Sequence, residues 1–180
     1  MKRAGVIALV SGVVVGGVII AALVPFLAAE ASTPADALSL LAQPQDANDT
    51  ALTQDQQFDL DPASIRYLGE DEGVTFWAGV GADETICVVI VVPDGTGGAS
   101  CQPLTGFTRS GTVLGLYSGV GETNAIRVFL LPDTADLSGD VGPWHLVGTN
   151  LLWAVPGEVD DANPIEVPRS GGGSPFVLGP

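Results

Sequence analysis

Lysine is almost missing from this sequence. Lys2 is the only one, and beyond Arg3 the cations are Arg66, Arg109, Arg127 and Arg169. Against 6 basic residues stand 21 acidic ones, a formal net charge of −15. Neutralising a phosphate backbone requires clustered Lys and Arg, so nucleic acid is excluded as a partner. A Ser–Lys catalytic pair is excluded by the same scarcity. Histidine is as rare: His145 stands alone between Trp144 and Leu146 in an apolar stretch. No G-x-S-x-G elbow accompanies it, and a lone histidine in a strand reads as structural rather than as a general base. One His and two Cys make no zinc ligand set. Nothing in the sequence calls for a cofactor.

Uncharged apolar sequence, by contrast, is concentrated at one place. Ala4 to Ala29 contains no charged residue and follows Lys2-Arg3. At about 1.5 Å per residue, some 20 apolar residues cross the hydrocarbon core, which this run exceeds. The segment, residues 1–30, is expected to be an N-terminal transmembrane anchor contacting the membrane through residues 4–29. The flanking cations keep the N-terminus cytoplasmic and place the C-terminal domain outside the cell membrane, a single-pass, extracytoplasmic topology. A cleaved signal peptide is the competing reading, because Ala29-Glu30-Ala31 has small residues at the spacing of a cleavage site. A soluble core helix fits less well, since Val13 to Val18 is a poor helix former in water and no polar face exists. Gly12 and Gly16 offer a small-xxx-small spacing for close helix approach.

The chain beyond the anchor divides by composition. Residues 31–63 read as a short helix followed by a stalk. Thr33 caps, Pro34 opens, and Ala37, Leu38, Leu40 and Leu41 give an apolar side, before a Gln-, Asp- and Asn-rich stretch from Gln43 to Asp61. From Ser64 short β-branched and aromatic runs alternate with turn signals. The expected strands are Ile65–Leu68, Val74–Val80, Thr85–Val92, Thr112–Ser118, Ala125–Leu131, Trp144–Val147 and Leu151–Val155. Val74–Val80 alternates as a strand with one buried face does. Thr85–Val92 is apolar on both faces and is expected at the centre of the sheet. The fold class is therefore mainly β: a single small antiparallel domain, a meander, sandwich or barrel-like sheet over residues 64–156. Residues 157–180 read as a Pro/Gly-rich tail, with Pro175-Phe176-Val177-Leu178 apolar enough to dock.

Candidate sites are few. Asp136, Ser138 and Asp140 place oxygen atoms at alternate positions, as calcium loops do. Yet Gly139 and Gly142 fall out of register and Val147 stands where the twelfth-position Glu belongs, so the run is expected to be a polar turn rather than a metal site. Leu131-Pro132-Asp133-Thr134-Ala135 has the look of a sortase signal but lacks the apolar segment and basic tail that would present it, and it reads as a strand end and turn. Paired carboxylates of a glycosidase kind cannot be nominated, since most acids fall in turns, where Asp is turn chemistry.

Asp61 to Gly69, Phe76-Trp77-Ala78, Ile86 to Ile90, Ser100-Cys101, Phe107 and Leu130 to Asp133 resemble a group of small actinobacterial membrane-anchored proteins. The resemblance spans Ala35 to Asp133. It implies one N-terminal transmembrane helix and a two-cysteine extracytoplasmic β-rich domain, and it brings no activity with it.

The cysteines carry the sharpest expectation. Pro93, Asp94 and Gly95 have the form of a three-residue hairpin turn, a type I turn led by Pro with Gly in the left-handed position. Such a turn pairs Val92 with Thr96. Counting outward in antiparallel register then sets Cys87 directly opposite Cys101, at a non-hydrogen-bonded position whose Cα separation of about 4.5 Å is within disulfide range. In an oxidising compartment the two are expected to bond, contributing about 3 kcal/mol for a loop of about 15 residues. A redox-active pair is the competing idea, though it usually takes C-x-x-C spacing. The function these features favour is a non-catalytic binding or interaction module, tethered to the membrane and contacting a protein or ligand at the cell surface. An envelope hydrolase using paired carboxylates is the alternative.

Overall fold

The computed structural model describes residues 32–52, 58–117, 125–155 and 164–179. The apolar run 4–29, its cleavage motif and the Gly119–Asn124 connection lie outside them. No helix among the described residues is long and apolar enough to cross a membrane.

The first sheet is a meander of β1 (Arg66–Asp71), β2 (Val74–Val80), β3 (Ile86–Val91) and β4 (Gly97–Gln102), paired in that order and antiparallel throughout. Alternation in β2 sends Val74, Phe76 and Ala78 inward, where β3 adds Ile86, Val88 and Ile90. Every residue of β3 from Ile86 to Ile90 is buried, as its two-sided apolar sequence requires. The second sheet contains β5 (Thr112–Tyr117), β6 (Ala125–Leu130), β7 (His145–Val147) and β8 (Leu151–Ala154). Its order is β5-β6-β8-β7, because the β7–β8 hairpin folds back to lay β8 beside β6. Its inner face contributes Leu114, Val128, Leu130, Val147, Leu151 and Trp153 to the same core.

The two sheets close toward each other along both edges without a shared ladder. At one seam β5 runs beside β4 and reaches β3: Leu114 and Leu116 lie over Gly98, and Thr112 Oγ1 donates to the Ile86 carbonyl of β3 at 3.0 Å. At the other seam β1 meets β7. The β1 strand carries an irregularity between Tyr67 and Gly69, and Gly69 adopts φ 148°, with the Val147 side chain only 2.5 Å from where a Cβ would stand. Only glycine permits that conformation and that approach together.

Two short helices pack against each other. α1 (Pro34–Ala37) starts with the expected Thr33 cap, completed by Asp36 reaching back to the Thr33 N–H at 3.0 Å. α2 (Leu104–Ser110), which Gly and Thr hide from a propensity reading, is anchored by the fully buried Phe107.

Two stretches differ from the sequence reading. Residues 31–63 were expected to include a stalk, but Ala37, Leu38 and Leu41 enter the main core and the stretch after them lies against the first sheet. Polar atoms do the docking. The buried Arg66 guanidinium donates to the carbonyls of Leu41, Gln43, Ala63 and Ile65, and Asp49 Oδ1 accepts from the Tyr67 N–H at 2.6 Å. A Leu60–Gly81 bridge and an Asp61 N–H to Val80 carbonyl bond finish the attachment. The Pro/Gly-rich tail likewise docks. β9 (Ile165–Val167) and β10 (Phe176–Leu178) form a hairpin whose Val167, Phe176 and Leu178 cover Phe129, Leu152 and Ala154 on the outer face of the second sheet.

Candidate functional site

The β1–β7 seam holds the one histidine. Asp71 is the last residue of β1, turned by Glu72 and Gly73, both at positive φ, into β2. His145 opens β7 and pairs across the ladder with Trp153 of β8, their rings 4.8 Å apart. Asp71 Oδ2 meets both: it accepts from Trp153 Nε1 at 3.0 Å and lies 3.0 Å from His145 Nδ1. Trp153 is buried, whereas Asp71 and His145 are about one-third exposed. One carboxylate oxygen thus ties two sheets through two strands of the second.

Chemically this is an acid orienting an imidazole, the arrangement that holds the base of a nucleophilic triad in place. A hydrolase needs, at the same point, a nucleophile and donors for the oxyanion. The sequence provides no nucleophile elbow, and Asp71 has an evident second task as acceptor for an indole that is otherwise buried in the core. The sequence placed His145 in a strand, as it is, but its partners were hidden. Asp71 looked like turn chemistry, and it lies 74 residues from the histidine.

Asp136 Oδ1 accepts from the Ser138 N–H at 3.1 Å and from Ser138 Oγ at 2.6 Å, while Asp140 Oδ1 accepts from the Gly142 N–H at 2.8 Å. Each carboxylate closes its own turn. The Ser138 hydroxyl, with its amide, lowers the Asp136 pKa below the ordinary value. Among the described residues no group of three His, Cys, Asp or Glu is arranged to hold a metal ion.

Pro93, Asp94 and Gly95 form the hairpin turn. The Gly95 N–H donates to the Val92 carbonyl and the Val92 N–H to the Thr96 carbonyl, both at 2.9 Å, with Gly95 at φ 83°. The register follows: Val91 opposes Gly97, and Cys87 opposes Cys101. The two sulfurs are bonded, their Cα atoms 4.0 Å apart.

No family model, curated protein or solved structure matches the chain.

The sortase-like string serves packing instead. The Asp133 N–H donates to the Ala37 carbonyl at 3.0 Å, its carboxylate accepts from the Ser39 N–H at 2.8 Å and from Asn150 Nδ2 at 3.0 Å, and Asn150 is buried. Arg169, in the tail, donates to the carbonyls of Ser174, Thr108 and Arg109 and stacks 3.7 Å over the Phe176 ring, so α2 and the C-terminal hairpin share one guanidinium.

Proposed function

We propose that this protein is a membrane-tethered, extracytoplasmic binding or interaction module with no catalytic task, akin to the small actinobacterial anchored proteins its sequence resembles. The tether is the uncharged run Ala4–Ala29 behind Lys2-Arg3, and the working part is the disulfide-bonded β domain. The observation that carries the non-catalytic reading is the employment of the polar side chains. Arg66, Arg169, Asp49, Asp133, Asp136 and Asp140 each satisfy backbone groups, and Asp71 holds Trp153 and His145 across a seam. Such groups position a fold rather than a substrate. A field set by a net charge of −15 repels anionic lipid and wall polymers and favours a partner with a basic face.

Intact cells treated with an impermeant protease should lose the domain while the membrane form still begins near Met1. A soluble chain starting at Ser32 would overturn the tether. Crosslinking in the native envelope should capture one discrete partner, competed away by excess soluble domain. Turnover of glycoside or ester substrates that disappears in Asp71→Asn and His145→Gln variants, both still folded, would instead establish an enzyme.

A further inference from the structure

The disulfide is lopsided. Cys87 lies on the outer face of the first sheet and is fully buried, as is its neighbour on that face, Val89. Around Cys87 the wall is tight: a Cβ added at Gly81 would stand 2.9 Å from its Sγ, the Thr85 hydroxyl is 3.8 Å from the same atom, and the Asp59 carbonyl lies just beyond Gly81. The cladding that descends from the N-terminal side reaches β1, β2 and Gly81 just past β2 through Asp49, Asn48 and Leu60. Over β4 it is gone. Ala99 and Cys101, which share that outer face, are exposed, and the strand they occupy, Gly97-Gly98-Ala99-Ser100-Cys101, carries little side chain to shield them.

From this asymmetry we propose that Cys101 is a site of S-thiolation by small-molecule thiols, with Cys87 as the resolving thiol. Thiol–disulfide exchange requires a thiolate to approach one sulfur along the S–S axis while the other leaves. The approach to Cys87 Sγ is closed by Gly81, Thr85 and the segment behind them; the approach to Cys101 Sγ comes from solvent. The incoming thiolate forms a bond to Cys101 Sγ, the Cys87–Cys101 bond breaks, and its electron pair leaves on Cys87 as a thiolate, which takes a proton from water. No net oxidation occurs in this step, since one disulfide is exchanged for another. Attack by Cys87 on the mixed disulfide reverses it and expels the small thiol.

The β3–β4 ladder runs from Ile86–Gln102 to Val91–Gly97 on backbone hydrogen bonds separate from the bridge, and the proposal requires the adduct to form on the folded domain. The test uses the folded wild-type protein and glutathione as the probe. After brief exposure, acid quench and alkylation with N-ethylmaleimide in denaturant, peptide mass spectrometry should find glutathione on Cys101 and maleimide on Cys87, favouring that isomer by at least about tenfold. Glutathione on Cys87, an even distribution, or no adduct without denaturant would each overturn the proposal. Single-cysteine variants check it independently: with folding verified by circular dichroism, Cys87→Ser should react with an aromatic disulfide reagent at least about ten times faster than Cys101→Ser. Equal rates would overturn it as well.

Discussion

Asp71 accepts from one buried donor and touches one ring about one-third exposed with a single oxygen, so its removal should be felt chiefly through the indole. In Asp71→Ala, Trp153 Nε1 loses its acceptor in a position 1 % exposed. A buried donor left without a partner costs about 1–3 kcal/mol. The urea midpoint should fall accordingly with the slope unchanged, and a double-mutant cycle with Trp153→Phe should return a coupling energy of about 1 kcal/mol. A cycle closing at zero would mean that the bond contributes nothing beyond packing. Asp94 offers a second test at this scale. The Thr96 amide, followed by the Thr96 hydroxyl, holds the Asp94 carboxyl below its ordinary pKa. A carboxyl depressed in the folded state stabilises the fold above its unfolded pKa, and that stabilisation is lost as pH falls through the folded value. Any excess in urea midpoint of the wild type over Asp94→Asn should therefore be present at neutral pH and fade below about pH 4. A difference that grew on acidification would carry the wrong sign.

Elements show where sequence logic succeeds and where it stops. The β3–β4 hairpin was legible to the residue, because the Pro93-Asp94-Gly95 turn permits one register and Cys87 and Cys101 agree with it. The β7–β8 hairpin was legible too, with Gly148 at φ 60° in its turn. What was not legible is that β8 would lie between β7 and β6, since that choice is made by the outer-face residues Phe129 and Leu152 and not by any local pattern. α2 was invisible because Gly106 and two threonines mask a helix that one buried Phe107 holds. The stretch from Gln43 to Asp61 was invisible for the opposite reason: its polarity suggested solvent, yet the Gln43 carbonyl accepts from Arg66 and the Asp49 carboxylate accepts from the Tyr67 N–H. As for the Asp71–His145 pair, no short-range signal joins residues on strands so far apart in sequence. The docked C-terminal hairpin allows a direct test of its covering role. Phe176→Ala should destabilise by about 3–5 kcal/mol as a buried large-to-small change. Loss of Phe176 and Leu178 together should make the domain bind a hydrophobic dye through the uncovered Phe129 and Leu152. A doubly substituted protein that melts normally and binds no dye would show the hairpin to be ornamental.

At the scale of the molecule, both ends of the described chain are fastened to the sheets, one in a single patch and one along its length. The C-terminal hairpin is held by apolar burial. The N-terminal segment is held in series, first by burial of Ala37, Leu38 and Leu41 in the main core together with the Asp133 bonds to Ala37 and Ser39, then by the Arg66 clamp on Leu41 and Gln43, then by Asp49 and the Leu60–Gly81 bridge. These attachments sit one after another along the chain, so a load applied at Ser32 reaches them in turn rather than together. Pulled between residue 32 and Val155 in an optical trap, the domain should yield first by peeling residues 32–65 from intact sheets, a gain on the order of 100 Å at about 3.3–3.6 Å per residue. The sheets should give way only later, and a single concerted rip would show that the segment and the sheets fail as one body. A molecule built in this way carries its own slack: the described parts of the stretch whose composition spelled a stalk are stowed against the domain at rest, and tension at Ser32 would turn them into the spacer their sequence describes.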